Sequence, residues 1–551
     1  MSRFPISRRG RLALVAAGLL ALSPAASGEQ ARVVSARAGQ RTAQPFPAPA
    51  DGVIRLSLDD AIGLALANNQ DLNVTVNAAE ASRYNLIASE GIFDPVLGAF
   101  ADRNHQEQPS TNQLAGAAVS VQDTYNFGAQ VQQLAPTGGT FTLGTSGGRF
   151  STNSQFYNVN PSFNAGLSLS MNQPLLRNFG PAATKWLIYI AKNSRDASYQ
   201  QYLRSVQSTV NSVEQAYWDL AYTLQNLEVK KESLRIAQEL ERITKIKIDV
   251  GSLAPIDITQ TEVGVALAEQ DIITAEGLIG DALDRLRRQI NIDPTLGNVP
   301  IVPTDQVRGE PVAIQLPEAT RMALERRPEV VAQAYAVESD RVRLAYWSNQ
   351  TLPGLNLTGS YGNIGQTGTI LDENGNVIAV NGLGDAYHQV VNRDFKTWSI
   401  GLNFSYPILN RYAKGQRGAA QFSLESSRAT LTTTQQNVVV EVRAAARAID
   451  TAARQIVAAQ KGRELAEKNL DAEKKKFDNG MSTTFQVNQI QRDLSAARTT
   501  ELQALVIYRK AVAAYHYAVA DILDWKKIGV EGMPETTPPP IESPLPPLSG
   551  K

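Results

Sequence analysis

Cysteine is absent from this 551-residue chain, and histidine occurs three times. A disulfide, a thiolate metal site and a lipid attached through an N-terminal cysteine are therefore all excluded. The charges cancel, 53 basic against 53 acidic side chains. No basic tract lies outside the N-terminus, so the electrostatic footprint of a nucleic-acid binder is missing. No apolar run approaches the roughly 18 residues that a spanning helix needs. A mature chain of this kind that enters a membrane must do so as a β-barrel. His105, His388 and His516 are far apart, two of them in predicted loops. The chain has no metal-ligand spacing, no nucleophile elbow and no phosphate-binding loop, and its carboxylates are spread along helix faces. No enzyme and no cofactor are expected.

What is present comes in two copies. Leu58-Asp59-Asp60-Ala61-Ile62-Gly63-Leu64-Ala65-Leu66-Ala67 returns as Pro317-Glu318-Ala319-Thr320-Arg321-Met322-Ala323-Leu324-Glu325. Each copy runs through a helical pattern to a proline (Pro95, Pro353), then to strict alternation, a second proline (Pro174, Pro407) and a very long helical segment. One glycine interrupts each long segment, at Gly251 and Gly480. Self-similarity of this kind predicts one elongated unit of two structural repeats rather than several globular domains.

The N-terminus reads as a bacterial secretory signal. Arg3, Arg8, Arg9 and Arg11 precede the apolar run Leu12 to Leu22, and Pro24-Ala25-Ala26-Ser27 supplies small residues for cleavage. The expected organisation is a signal peptide (1–27), a flexible segment (28–52), a first repeat (53–292), a proline-rich linker (293–313), a second repeat (314–524) and a proline-rich tail (525–551).

The strands carry the membrane signal. Trp398, Ile400, Leu402, Phe404 and Tyr406 alternate with Ser399, Gly401, Asn403 and Ser405. Phe163, Ala165, Leu167, Leu169 and Met171 alternate likewise with small polar residues. Each run has the length of a tilted membrane strand. Weaker partner strands are expected at about 96–102 and 355–361. Four strands cannot close a barrel, and an open edge in lipid leaves unpaired backbone groups. Three chains would supply twelve strands, an even number in the bacterial range. The first half holds one more hairpin, with Tyr125, Phe127, Ala129 and Val131, then Pro136-Thr137-Gly138-Gly139, then Phe141, Leu143 and Thr145. It is expected to decorate a surface loop; the alternative adds two strands to each chain. The helices show a heptad seam, Leu203, Val206, Val210, Val213, Tyr217, Leu220, Leu224 and Leu227, echoed by Val442, Ala446, Ile449, Ala453 and Ile456. Ser57 and Asp60 predict a capping box at the first helix. The fold class is thus an α+β membrane protein. A homotrimeric β-barrel of four strands per chain, or six, continues into an antiparallel helical coiled-coil barrel.

These residues together resemble the TolC family of bacterial outer-membrane channel proteins, over about 54–524. The resemblance rests on the duplicated helix start and on the junctions Gln173-Pro174-Leu175-Leu176 and Tyr406-Pro407-Ile408-Leu409. It rests also on the turns Val250-Gly251-Ser252-Leu253-Ala254-Pro255-Ile256-Asp257-Ile258 and Asn479-Gly480-Met481-Ser482-Thr483-Thr484-Phe485-Gln486-Val487. It implies a homotrimer in the outer membrane with a tunnel into the periplasm. It also implies docking on a periplasmic adaptor and, through it, an inner-membrane transporter, for drug efflux or type I secretion. The docking tips would be Val250, Gly251, Ser252, Leu253, Gly480 and Met481. By position Asp257 matches the family's latch aspartate, while Phe477 and Ser482 stand where a tyrosine and an arginine are usual, and Gln486 and Gln489 stand where an acidic ring is usual. Asp257 reads equally as a helix N-cap. Pro95, Pro174, Pro353 and Pro407 mark the helix–strand junctions. The competing class is a periplasmic coiled-coil structural or adaptor protein without a barrel.

Overall fold

The computed structural model describes residues 46, 52–110, 117–292, 299–307, 313–372, 375–530 and 539. The signal peptide and nearly all of the segment 28–52 lie outside them.

In chain order, a short strand β1 (Ile54–Leu56) leads to helices α1 (Leu58–Asn68) and α2 (Gln70–Glu90). Four strands follow: β2 (Val96–Pro109), β3 (Val119–Leu134), β4 (Thr140–Thr152) and β5 (Val159–Pro174). The turn α3 (Pro181–Thr184) precedes the long helices α4 (Trp186–Asp249) and α5 (Asp257–Ile290). After β6 (Ile301–Pro303) come α6 (Leu316–Arg326), α7 (Pro328–Gln350), β7 (Gly354–Leu371), β8 (Val377–Val380), α8 (Leu383–Asn392) and β9 (Phe395–Ser405). The last elements are α9 (Arg411–Asp478), α10 (Thr484–Val519) and the single turn α11 (Ile522–Trp525).

The 64 residues of α4 and the 68 of α9 make rods of about 100 Å each. Their seams bury what the heptads select. Val206, Val210, Val213, Tyr217 and Leu220 are buried in α4, while Val442 and Ile449 are buried in α9. Ala453 is an exception: it is exposed, and its neighbour Ala452 takes the buried place. Across from α4, α5 buries Thr261, Ala268, Ala275 and Ala282 at seven-residue intervals, small side chains that let the two helices approach closely. The returning arms are shorter, and a second helix extends each column. Asn69, the N-cap of α2, donates its amide to the Gln289 carbonyl at the end of α5 (2.9 Å). At the first helix, Ser57 accepts from the Asp60 amide (3.2 Å) while its hydroxyl bonds the Asp60 carboxylate, a variant of the expected box.

The segment between the halves is more than a connector. Within it β6 pairs in parallel with β1. Tyr217, fully buried on α4, donates its hydroxyl to Asp305 (2.6 Å) and lies 3.0 Å from the Leu56 carbonyl. Burial and the Asp305 carboxylate push its pKa up. This hub ties α4 to both short strands. At the C-terminal end, Trp525, Ile528 and Val530 pack on the same core, so the described part of the tail is anchored. Trp525 also stacks on His516 at 4.2 Å.

The large sheet is antiparallel, and its long strands run in the order β2-β3-β4-β5-β7-β9, with β8 on the outer part of β7. Each chain thus has six long strands rather than four. The extra hairpin is no surface decoration: β3 and β4 lie between β2 and β5, paired along their lengths. The strands also run further than alternation alone indicates. In β2, residues 102–108 are polar, but their pairing with β3 continues through side chains such as Arg103–Asp123 (3.2 Å) and His105–Asp123 (2.9 Å). His105 therefore lies in a strand and His388 in α8, not in loops, and His516 lies in the last turn of α10.

Candidate functional site

Two features at opposite ends of the rods can bear function: the faces of the sheet, and the two hairpin tips.

Register partners share a face of a sheet. Leu97, Val131, Leu143, Leu169, Tyr361 and Trp398 form one row through all six long strands. The adjacent row on the other face is Gly98, Gln130, Gly144, Ser168, Gly362 and Thr397. One face is mainly apolar and the other mainly small and polar, Phe100, Ile364 and Phe395 being exceptions in one row of the latter, and among the described residues no partner layer covers most of the apolar side. Ile400 is 75% exposed and Leu402 63%. Toward the loop end, α8 covers part of the apolar face, seating Ala386 and Val390 against Ala165. Gly365 permits this contact, since a Cβ there would lie 2.0 Å from the Ala386 carbonyl oxygen. The outer strands β2 and β9 each keep one unpaired edge.

The four prolines stand where helix and strand meet. Pro95 precedes β2, Pro174 ends β5, Pro353 precedes β7 and Pro407 follows β9. Proline cannot supply the donor that a helix interior needs, so each marks a change of element. Two junctions are joined directly, the Arg177 amide donating to the Pro353 carbonyl (3.2 Å) and the Leu175 amide to the Leu355 carbonyl (2.7 Å).

At the other end, both tips turn by the same device. Gly251 (φ +77°) and Gly480 (φ +74°) occupy the left-handed position after α4 and α9. The amide of Gly251 donates to the Ile248 carbonyl and that of Ser252 to the Lys247 carbonyl. The amides of Gly480 and Met481 donate in the same pattern to Phe477 and Lys476. These are paired Schellman closures, which glycine permits because it has no Cβ. Val250 (70%) and Met481 (71%) are exposed at the ends, as are Ser252, Ile256 and Phe485, whereas Leu253 is half-buried.

The tips share a small core of Leu240, Leu470, Phe477, Val487, Ile490 and Leu494, with Leu253 against it. Phe477 is buried there under Lys247, whose ammonium lies 4.0 Å from the ring centre and donates to the Phe477 carbonyl (2.8 Å). Asp257 is the first residue of α5 and not its N-cap, which is Ile256. Its carboxylate stands 3.0 Å from the hydroxyl of fully buried Thr484 at the start of α10. That hydroxyl is equally near Gln260, and Asn488 donates to the Gln260 carbonyl (3.0 Å). Gly264 allows this approach, for a Cβ there would lie 2.7 Å from Asn488 Oδ1. Ser482 donates to Glu473 (2.6 Å). The Ser482 hydroxyl and the Lys476 ammonium hold the Glu473 carboxyl below the usual carboxylate range. Gln486 is exposed, and Gln489 donates to Asp493 (3.1 Å) and accepts from Arg492 (3.0 Å).

Asp257 and Phe477 thus take part in contacts between the two hairpins, Ser482 bonds within the second, and Gln486 and Gln489 enter none of these contacts. Sequence reading missed Lys247, Glu473, Thr484 and Asn488, which make most of the polar contacts. Thr484 and Asn488 stand on either side of Gln486, and their spacing of four residues on α10 was the available signal. Among the described residues no cluster of His, Asp and Glu could hold a metal ion, and no helix is long and apolar enough to cross a membrane.

A family profile described as outer membrane efflux protein matches residues 61–291 and 319–514. The outer membrane protein TolC of Vibrio cholerae is 24% identical over 348 residues, which cover 60% of this chain and 73% of that protein. The crystal structure of a membrane protein from Pseudomonas aeruginosa superposes with a TM-score of 0.63 at 18% identity, covering 84% of this chain and 93% of the other. The CmeC outer membrane channel of Campylobacter jejuni superposes with a TM-score of 0.62 at 16% identity, covering 84% and 86%. At these identities the structural likeness establishes the fold.

Proposed function

This chain belongs to the outer membrane efflux protein family, and on that premise we propose that it forms a homotrimeric channel-tunnel, the exit duct of a tripartite efflux pump or type I secretion system. It is an outer-membrane protein. The observation that carries the proposal is a membrane-length sheet, apolar on one face and open at both edges, on the end of helical hairpins about 100 Å long. Unpaired strand edges are not tolerated in hydrocarbon. Copies of β2 and β9 from neighbouring chains satisfy each other and close the wall. Three copies of the hairpin pair then continue it as a tunnel into the periplasm. The two halves, with the same order of paired helices, strands and long hairpin, are read as two repeats of one unit.

The role has no chemical step. The wall separates cargo from lipid, and the tunnel separates it from the periplasm. The exposed tips, Val250, Gly251, Ser252, Gly480 and Met481 with half-buried Leu253 behind them, are read as the docking surface for a periplasmic adaptor and through it an inner-membrane transporter. The Asp257–Thr484 and Lys247–Phe477 contacts are read as holding the two hairpins of one chain together near the aperture, and the Ser482–Glu473 contact as bracing the turn of the second. The rival reading, a barrel-less periplasmic adaptor or structural coiled coil, leaves the apolar row of the sheet in water.

The test is extraction and mass. The protein should fractionate with outer membranes, require detergent, and run in mild detergent at the mass of three chains. A monomer with its sheet intact would refute the proposal.

The tips also make an electrical prediction. Gln486 and Gln489 bear no charge, and Gln489 lies between the Asp493 carboxylate and the Arg492 guanidinium. Replacing Gln486 and Gln489 together by Asp should add six carboxylates per trimer near the aperture and shift the reversal potential in asymmetric KCl toward cation selectivity. An unchanged reversal potential would mean that these residues do not line the aperture.

A further inference from the structure

The hairpin β3–β4 sits where no helix continues it. Each of β2, β5, β7 and β9 connects at its helix-side end to a rod, through Pro95, Pro174, Pro353 and Pro407 respectively. The turn 135–139 that joins β3 to β4 lies at that same end of the sheet but only returns the chain. Resting on the trimeric channel proposed above, we infer that this hairpin is part of the barrel wall in every subunit. The closed barrel then has eighteen strands, and its bore is wider than that of a twelve-stranded one.

Three observations carry this. The first is register. β3 is paired with β2 along the whole of β2, β4 is paired with β3 along the whole of β4, and β5 pairs with β4 without a shift, so the ladder crosses the inserted strands unbroken. The row that starts at Leu97, second in β2 from its helix-side end, reaches Trp398, eighth from the helix-side end of β9. A stagger of about one residue per strand is what a closed barrel with strands tilted by about 35–45° requires.

The second is facing. Within the insertion, Tyr125, Phe127, Val131, Phe141 and Leu143 fall on the apolar face with Leu97, Leu169 and Ile400, while Gly128, Gln130, Thr142, Gly144 and Ser146 fall on the polar face. A hairpin projecting into water on both sides has no reason to keep this dyad pattern in phase with its neighbours.

The third is the collar beneath the turn. The Gly180 amide donates to the Thr137 carbonyl (3.0 Å), the Thr137 hydroxyl donates to Gln173 Oε1 (2.8 Å), and the Gln173 side-chain amide donates back to the Thr137 carbonyl (3.1 Å). Gly138 has φ +88°, and a Cβ there would lie 2.2 Å from the Asn178 carbonyl oxygen. Two additional strands move β2 away from β5 by about 9–10 Å, yet α2 and α4 remain packed, with Ser82 and Ser198 2.8 Å apart. The connection between β5 and α4 bridges that offset. It runs over 175–185 and includes α3, whereas its counterpart between β9 and α9 is only 406–410.

With strands about 4.7 Å apart, eighteen give a backbone diameter of about 34 Å, against about 23 Å for twelve. The polar face is lined largely by Gly, Ser, Thr, Asn and Gln, and Phe100, Ile364 and Phe395 narrow it in one row toward the loop end. The helical tunnel gains nothing from the insertion, since no rod was added. The barrel is therefore the wide part of the duct, and cargo size is selected below it.

The absence of cysteine makes the test direct. Single Gln130→Cys, Thr142→Cys, Val131→Cys and Leu143→Cys variants are purified as trimers, reconstituted in liposomes and treated with a charged, membrane-impermeant methanethiosulfonate. Modification at 130 and 142 should be at least an order of magnitude faster than at 131 and 143 and should lower conductance, as the alternation of wall strands demands. Images of the wild-type trimer should show eighteen strands. Equal reaction at all four sites, or a twelve-stranded barrel, would overturn the inference and leave the channel reading standing. Failure of any variant or the wild type to form trimers would instead strike at the channel reading itself.

Discussion

Leu402→Arg is expected to abolish stable trimers in the outer membrane. Leu402 lies on the apolar row of β9 between Ile400 and Phe404, it pairs with Leu357, and its side chain is largely exposed. A guanidinium at the middle of the hydrocarbon costs about 2–4 kcal/mol, and a trimer carries three. Its neighbour Asn403 pairs with Asn356 on the opposite face. Asn403→Arg should therefore assemble normally and alter conductance, because in the proposed barrel the added charge would project into the lumen. Heat-modifiable trimer bands and planar-bilayer recordings measure both effects. Equal tolerance of arginine at the two positions would mean that the sheet does not face lipid.

The second large effect is expected at the tips. Combining Gly251→Val with Gly480→Val should eliminate transport while trimers persist in the membrane. Both glycines hold positive φ, and no atom outside the chain's immediate neighbours lies within 4 Å of where a Cβ would go. The fault is therefore confined to the backbone: a left-handed conformation costs an L-residue roughly 1–2 kcal/mol, and more when it is β-branched. Each substitution breaks the Schellman closure that presents Val250 or Met481 at the end of its hairpin. Asparagine tolerates the left-handed region, so the Gly251→Asn, Gly480→Asn pair should retain most transport. Substrate accumulation in cells, set beside trimer yield from membranes, separates docking from assembly. Normal transport by the valine pair would move the docking site elsewhere.

Local chemistry is what made parts of this structure readable beforehand. The heptad seam around Tyr217, the cap at Ser57, the two tip glycines and the junction prolines are all written within a few residues of where they act. The alternations at 163–171 and 398–406 are visible for the same reason. What could not be read depends on partners distant in sequence. The outer half of β2 carries no apolar alternation, and its strand form comes from pairing with β3. The helix α8 is ten residues long with Gly382 and Gly384 at its start, and it is held by packing on Ala165 and Gly365. The placement of β3–β4 is a matter of register between strands, which a hairpin's own pattern does not encode. At the tips, Asp257 was legible as an important carboxylate. Its partner Thr484 was legible only as half of a polar pair with Asn488 four residues on, a spacing that a solvated helix face shows equally.

The hub at Tyr217 has a mechanical consequence. With its hydroxyl held by Asp305 and beside the Leu56 carbonyl, that point of α4 is a fulcrum, and the helix from there to Gly251 is a lever arm of about 50 Å. Over such an arm a tilt of about 5° displaces the tip by about 4 Å, more than the reach of the Asp257–Thr484 hydrogen bond. Side chains around the hub need scarcely shift for the tip of this arm to move by that distance. A force applied at the tips works with the whole arm as its mechanical advantage.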